Sequence, residues 1–172
     1  EEEAQKIETL ALEYNAREVR IAKNQEEATA LASARRSAFA ALARIRPTTI
    51  LEDVTLPRNK LGEMILFVQQ VAQKYDLKIA TFGHFGDGNL HPTILTNEKD
   101  EIEMKRVHQA MEDLFLKTIA MGGTITGEHG VGLAKKAYLM QQYKDHSYTL
   151  LKQVKQTFDP HNLLNPGKIF DA

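Results

Sequence analysis

Two histidines, His84 and His91, flank a short glycine-dense stretch, Gly83-His84-Phe85-Gly86-Asp87-Gly88-Asn89-Leu90-His91. Imidazole nitrogens ligate zinc and other divalent ions at about 2.0–2.1 Å, and two brought close together can share one ion. Gly86 and Gly88 allow left-handed turn conformations, while Asp87 and Asn89 are residue types that hydrogen-bond their own turn backbone. Asp87 is thus a turn former before it is a ligand. The residues on either side, 77–82 and 90–95, read as strands. A hairpin there would set the two histidines near each other, because opposed residues on paired strands have Cβ atoms about 4.5–5.5 Å apart. The same stretch also reads simply as a hairpin turn with histidines beside it.

A second stretch, Gly122-Gly123-Thr124-Ile125-Thr126-Gly127-Glu128-His129-Gly130-Val131-Gly132, places an acid and a base side by side between glycines. It does not match the dinucleotide fingerprint G-x-G-x-x-G and lacks the Lys-Ser/Thr pair of a P-loop. Neighbours on a regular strand point to opposite faces, so Glu128 and His129 can serve one site only if the backbone turns between them. If it does, Glu128 completes a His₂-carboxylate set with His84 and His91, and His129 is left as a general base. Otherwise the pair is a loop histidine and a solvated glutamate. Spacing alone leaves both readings open.

The elements that must hold these residues follow from periodicity. Ala4, Ile7, Ala11 and Tyr14 form a helical stripe, followed by a short strand candidate over 18–22. Asn24 and Glu27 resemble a capping box opening a long helix that carries Arg35 and Arg36 and is ended by Pro47. Those arginines either lay their stems along the surface or present a guanidinium fork to a carboxylate. Residues 48–56 predict a strand closed by Pro57, and residues 60–74 a helix with Leu61, Met64, Ile65, Val68 and Val71 on one face. Residues 100–121 predict another helix, stopped at Gly122-Gly123. This order of helices and strands, with one hairpin, predicts an α+β domain: an antiparallel or mixed sheet covered by helices. A single domain over residues 1–172 is expected.

Composition excludes several classes. Of the 172 residues 42% are hydrophobic and 26% charged, ordinary for a globular chain with a core. A net charge of −1 offers no electrostatic case for nucleic acid. With no cysteine, the chain provides neither disulfides nor thiolate metal sites.

Three motifs, taken together, carry a resemblance. They are Gly83-His84-x-Gly86-Asp87-Gly88-Asn89-x-His91, then Gly123-Thr124-x-Thr126-Gly127-Glu128-His129-Gly130-Val131-Gly132, then Phe158-Asp159-Pro160-x-Asn162-x-Leu164-Asn165-Pro166-Gly167-Lys168. In order and spacing they resemble the FAD-linked oxidase C-terminal domain, found in relatives of glycolate oxidase, D-lactate dehydrogenase and D-2-hydroxyglutarate dehydrogenase. The resemblance covers essentially the whole chain. It implies the substrate (cap) domain of a vanillyl-alcohol-oxidase-type flavoenzyme, with the FAD-binding domain on a part of the polypeptide outside this chain.

Residue by residue, it implies His84, His91 and Glu128 as ligands of a divalent metal, zinc foremost, and His129 as the base that takes the substrate hydroxyl proton. It implies Arg36 as the substrate-carboxylate partner, within Ala34-Arg35-Arg36-x-Ala38-Phe39, and Asn165 and Lys168 near the cofactor FAD. The implied reaction moves hydride from the α-carbon of a small 2-hydroxy acid to FAD. Ala40, Leu51 and Thr93 stand where the 2-hydroxyglutarate branch has polar groups, and Leu51-Glu52-Asp53-Val54-Thr55-Leu56-Pro57-Arg58 looks like the glycolate oxidase subunit. A monocarboxylate such as glycolate or D-lactate is therefore expected. Expected partners are the chain's own N-terminal FAD domain and iron–sulfur companion subunits. The expected location is the cytoplasm, or the inner membrane face through those subunits. Two other functions fit the same residues: a self-contained His₂-Glu metallohydrolase, and a non-catalytic binding module with structural histidines.

Overall fold

The computed structural model describes residues 2–144 and 146–171, with backbone only for Ala34 and Arg35. Arg35, one of the two arginines considered for a carboxylate, thus has its side chain outside the described residues. The chain divides into two compact units, Glu1–Ala41 and Leu42–Ala172.

The first unit holds helix α1, Glu2–Glu13, and most of helix α2, Gln25–Leu42. Asn24 starts α2 by accepting the Glu27 N–H at 2.9 Å, and the Glu27 carboxylate reaches back to the Lys23 N–H at 2.8 Å. This is the expected capping box with its return bond one residue early. No strand forms over 18–22. A strand needs a partner to satisfy its backbone, and the sheet of this chain lies wholly in the second unit. Helix α2 also ends at Leu42, short of the expected Pro47, in a run of turns closed by the Ile45 N–H bonding the Leu42 carbonyl.

The second unit is built on strand β4, Asn89–Thr96, every residue of which is buried. Strand β3, Lys78–His84, pairs along one edge of it in an antiparallel hairpin. Along the other edge run β1, Thr48–Leu51, and β2, Val54–Thr55, both antiparallel to β4. The expected strand over 48–56 is thus present but broken at Glu52-Asp53, and Pro92 explains the break. Leu51 faces Thr93 and Val54 faces Leu90, so Glu52 comes opposite Pro92. The Glu52 N–H bonds the Pro92 carbonyl at 2.9 Å. Pro92 has no N–H to return, and the ladder lapses there. Helices α3, Leu61–Lys74, and α4, Glu101–Ala120, cover the sheet, followed by α5, Lys136–Gln142, and α6, His146–Phe158. The expected α+β class with an antiparallel, helix-covered sheet is what the chain adopts.

Strand alternation sorts chemistry from core. Val54, Leu90 and Ile94 point to the helices, and a cluster of Val54, Leu90, Met64, Val68, Leu114 and Phe115 fills that side. Asn89, His91 and Thr93 take the opposite parity of β4 and so share the other face, with Phe82 and His84 of β3 across from His91 and Asn89. Asp100 caps α4 by accepting the Ile102 and Glu103 N–H groups at 3.0 and 2.9 Å, and Gly122 ends it at φ 76°. On α4, Glu103 pairs with Arg46 and takes the Thr96 hydroxyl at 2.8 Å, which ties the helix to the end of β4. No helix among the described residues is long and apolar enough to cross a membrane.

Phe115 is fully buried, tilted by 51° against the Tyr138 ring at 4.9 Å and lying beneath Lys135 Nζ at 5.4 Å. It therefore supports both the core and the underside of the loop after α4. Phe115→Ala is expected to destabilise the fold by about 3–5 kcal/mol, read as a lower denaturant midpoint with an unchanged slope.

Candidate metal and base site

The hairpin positions the first two histidines diagonally rather than face to face. Residues 85–87 make one 3-10 turn, and Gly88 closes it at φ 80°, bonding the Phe85 carbonyl at 3.1 Å. No side chain fits at that position, since a Cβ on Gly88 would stand 2.1 Å from the Leu56 carbonyl oxygen. The register that results sets His84 opposite Asn89 and Phe82 opposite His91. His84 and His91 are diagonal neighbours on one face, their rings edge-to-face at 5.6 Å.

The break at Glu52 orients the His91 ring. Its Nδ1 lies 3.3 Å from the Glu52 carbonyl, the same carbonyl that Pro92 leaves without a backbone donor. A carbonyl can only accept, so Nδ1 is the donor in this contact, and Nε2 is the ring nitrogen turned toward Glu128. Metal-binding histidines are commonly oriented in this manner.

Glu128 and His129 reach the histidines through an isolated bridge. After α4 the chain pairs once with β2, Thr55 and Thr124 exchanging N–H bonds of 3.0 and 2.7 Å. The next residues wrap around Asp53. One of its oxygens, Oδ2, accepts the Thr126 hydroxyl at 2.8 Å and the N–H groups of Gly127, Glu128 and His129 at 2.8, 2.9 and 2.9 Å. The other, Oδ1, accepts Asn89 Nδ2 at 2.6 Å. Burial opposes the charge on Asp53, but the hydrogen bonds from His129, Glu128, Asn89 and Thr126 outweigh it and hold the carboxyl far below the usual range. Lys135, itself buried, donates to the Asp53 carbonyl at 2.8 Å and lies 3.4 Å from the Glu52 carboxylate. Burial pushes the Glu52 carboxyl up, with Lys135 opposing.

The outcome is a convergent set. Glu128 Oε1 stands 3.6 Å from His84 Nε2 and 3.2 Å from His91 Nε2, and one ligand atom from each of the three residues lies within 4.8 Å of the others. A tetrahedral ion with bonds of about 2.1 Å separates its ligand atoms by about 3.4 Å, so the donor types and spacings fit a small divalent cation. The His129 ring stacks on His91 at 5.1 Å and 11°, with its Nε2 3.9 Å from Glu128 Oε1. Its side chain is 40% exposed, which leaves it open to a substrate.

The remaining expected site residues are Asn165, Lys168 and Arg36. Asn165 and Lys168 line a mostly apolar cleft of about 620 Å³ that also borders Thr126 and Gly130. The tail carrying them is tied to the loop by the Ile169 N–H bonding the Gly132 carbonyl at 3.1 Å. Arg36 is exposed on α2, in the first unit. Thr93, weighed above for substrate choice, is fully buried with its hydroxyl on the His91 carbonyl at 3.3 Å.

The profile of the family described as FAD linked oxidases, C-terminal domain, matches residues 1–169. The chain belongs to that family. Among curated relatives of this FAD-linked oxidase domain, the glycolate oxidase subunit GlcD of Bacillus subtilis (strain 168) is 51% identical over 170 residues, 99% of this chain and 36% of the relative. GlcD of Escherichia coli (strain K12) is 34% identical over 168 residues, 98% of this chain and 34% of the relative. A D-lactate dehydrogenase of Anaerostipes hadrus is 38% identical over 118 residues, 68% of this chain and 25% of the relative. The chain spans about a third of the length of the GlcD relatives.

Asp53 is the residue that sequence reasoning passed over. Its signal was an acidic pair, Glu52-Asp53, inside a β-branched run, a place where charge is costly unless it is paired. Since its folded pKa is depressed, Asp53 contributes stability above the unfolded carboxylate pKa of about 3.9, and that contribution is lost as pH falls toward the folded value. The stability gap between parent and Asp53→Asn is expected to be about 2 kcal/mol or more at neutral pH and to narrow steadily below about pH 4, in paired denaturation curves. A gap that widens on acidification would contradict this sign.

Proposed function

We propose that this chain is the substrate-side domain of an FAD-dependent 2-hydroxy-acid dehydrogenase or oxidase acting on glycolate or D-lactate. The observation that carries the proposal is the meeting of His84, His91 and Glu128 with His129 stacked alongside, in a chain of the FAD-linked oxidase family. When bound, a divalent cation would supply Lewis acidity toward the substrate hydroxyl, and FAD, on a domain outside this chain, the two-electron sink.

The chain's own residues account for the rest. His84 and His91 would hold the cation through uncharged imidazole nitrogens and Glu128 through one carboxylate, a donor set that would leave a dication with net positive charge toward substrate oxygen. His129 Nε2, beside the three-residue cluster, is assigned the hydroxyl proton. An imidazole nitrogen suits that transfer, and the parallel His91 ring restricts its orientation. Arg36 is assigned to the substrate carboxylate on the family motif, its guanidinium fork suiting a bidentate pair. Asn165 and Lys168 are assigned to the flavin side on the same ground. Iron–sulfur companion subunits as electron acceptors complete the proposal.

Dye reduction by the full-length gene product with glycolate, D-lactate and D-2-hydroxyglutarate tests this reading. His129→Gln is expected to lower kcat by about 10²–10⁴-fold while metal content stays at the parent level. His84→Ala is expected to lose both metal and turnover. Full turnover in His129→Gln would remove the base, and full turnover in His84→Ala would remove the metal.

A further inference from the structure

We infer that Asp53 is a positioning residue for the metal ligand and the base, acting through the loop backbone and touching neither metal nor substrate. The inference rests on the proposed His84-His91-Glu128 site. Three consecutive amide N–H groups, from Gly127, Glu128 and His129, point at a single oxygen of Asp53 within 2.8–2.9 Å. Consecutive amides do this only when the backbone is curled into a concave nest around an anion. In an extended strand the Glu128 and His129 side chains would project to opposite faces. Curled around Asp53, Glu128 faces His84 and His91 while the His129 ring lies along His91.

A second observation, independent of those hydrogen bonds, shows that the loop is pressed against a built platform. A Cβ on Gly127 would stand 2.3 Å from Thr55 Oγ1, 2.4 Å from Asn89 Nδ2 and 3.1 Å from Asp53 Oδ1. The platform is itself ordered. Asn89 Nδ2 donates to Asp53 Oδ1 at 2.6 Å and to Thr55 Oγ1 at 3.0 Å. Asn89 Oδ1 is buried without a partner among the described residues, so the amide gives up one hydrogen bond while its nitrogen stays on the carboxylate. The opposite amide orientation would set two oxygens against each other. The Thr126 hydroxyl also closes the far side of the nest, donating to Asp53 Oδ2 and accepting the Gly130 N–H at 2.8 Å. A carboxylate, which only accepts, satisfies all of these donors. A carboxamide in its place meets them with one acceptor fewer and two donors more.

The test is a Co²⁺ titration of the metal-free full-length gene product, read by visible d–d absorption, beside circular dichroism as a check on folding. Asp53→Asn is expected to weaken Co²⁺ binding by about 10-fold or more and to alter the band shape, in line with the usual effect of losing a partner behind a ligand. Thr126→Val, which removes one donor from Asp53 Oδ2, is expected to weaken binding in the same direction but less. Parent-like binding by a folded Asp53→Asn protein overturns the inference and leaves the metal site standing. If Asp53→Asn does not fold, parent-like binding by Thr126→Val overturns it instead. No Co²⁺ uptake by the parent overturns the metal reading first and this inference with it.

Discussion

Four N–H and O–H dipoles aimed at one point repel one another unless a negative charge sits between them. Asp53 Oδ2 is that charge for Thr126, Gly127, Glu128 and His129, and the site depends on it in three ways. It compensates burial of the carboxylate, since each charge-assisted bond replaces one to water. It also curls the segment that follows α4, so that adjacent residues project into one site. Finally, it joins that segment to β2, and through Asn89 to β4 and the histidine hairpin. Residues more than seventy positions apart in sequence are thereby held as one unit.

The same strand break serves the hairpin. Pro92 withholds one backbone donor from Glu52, and the vacant carbonyl is met by His91 Nδ1. Two features that would weaken an ordinary sheet, a proline in a central strand and an acidic pair opposite it, here orient the His91 ring and anchor a loop. Lys135 makes the arrangement tolerable by donating to the Asp53 carbonyl and approaching the Glu52 carboxylate, above the Phe115 ring. The apolar core is thus in direct contact with the cation that balances the polar face.

Local patterns made much of this legible in advance. The apolar rows of α3 and α4, the Asp100 and Gly122 ends of α4, and the His84–His91 hairpin are all short-range signals, and the elements formed where those signals lie. The residues at 18–22 had strand-like content but no partner, which is a tertiary property invisible to local pattern. The hairpin brings the two histidines together as expected, while the register, set by the turn closing at Gly88, puts His91 on the diagonal of His84. Asp53 was least legible, because its donors are mostly main-chain N–H groups that every sequence possesses. Only the fold shows which amides point at it.

Glu128 and His129 show how neighbouring residues can reach one place that a strand would split between its two faces. A carboxylate beside an imidazole on one nest brings the two groups within 3.9 Å of each other without a second element being recruited. Glycine contributes unevenly to this. Gly130 takes φ 83°, where a side chain is strained, and lets the chain leave the nest. Gly127 has no positive φ and is required instead because the platform leaves no room for a Cβ. The loop's shape is therefore set from outside, by Asp53, Asn89 and Thr55, rather than by backbone freedom within it. A loop of glycines alone would visit many conformers and hold Glu128 toward the histidines only part of the time. With its amides fixed on a buried anion it holds that geometry before any ligand arrives, which lowers the entropy that must be lost when one binds.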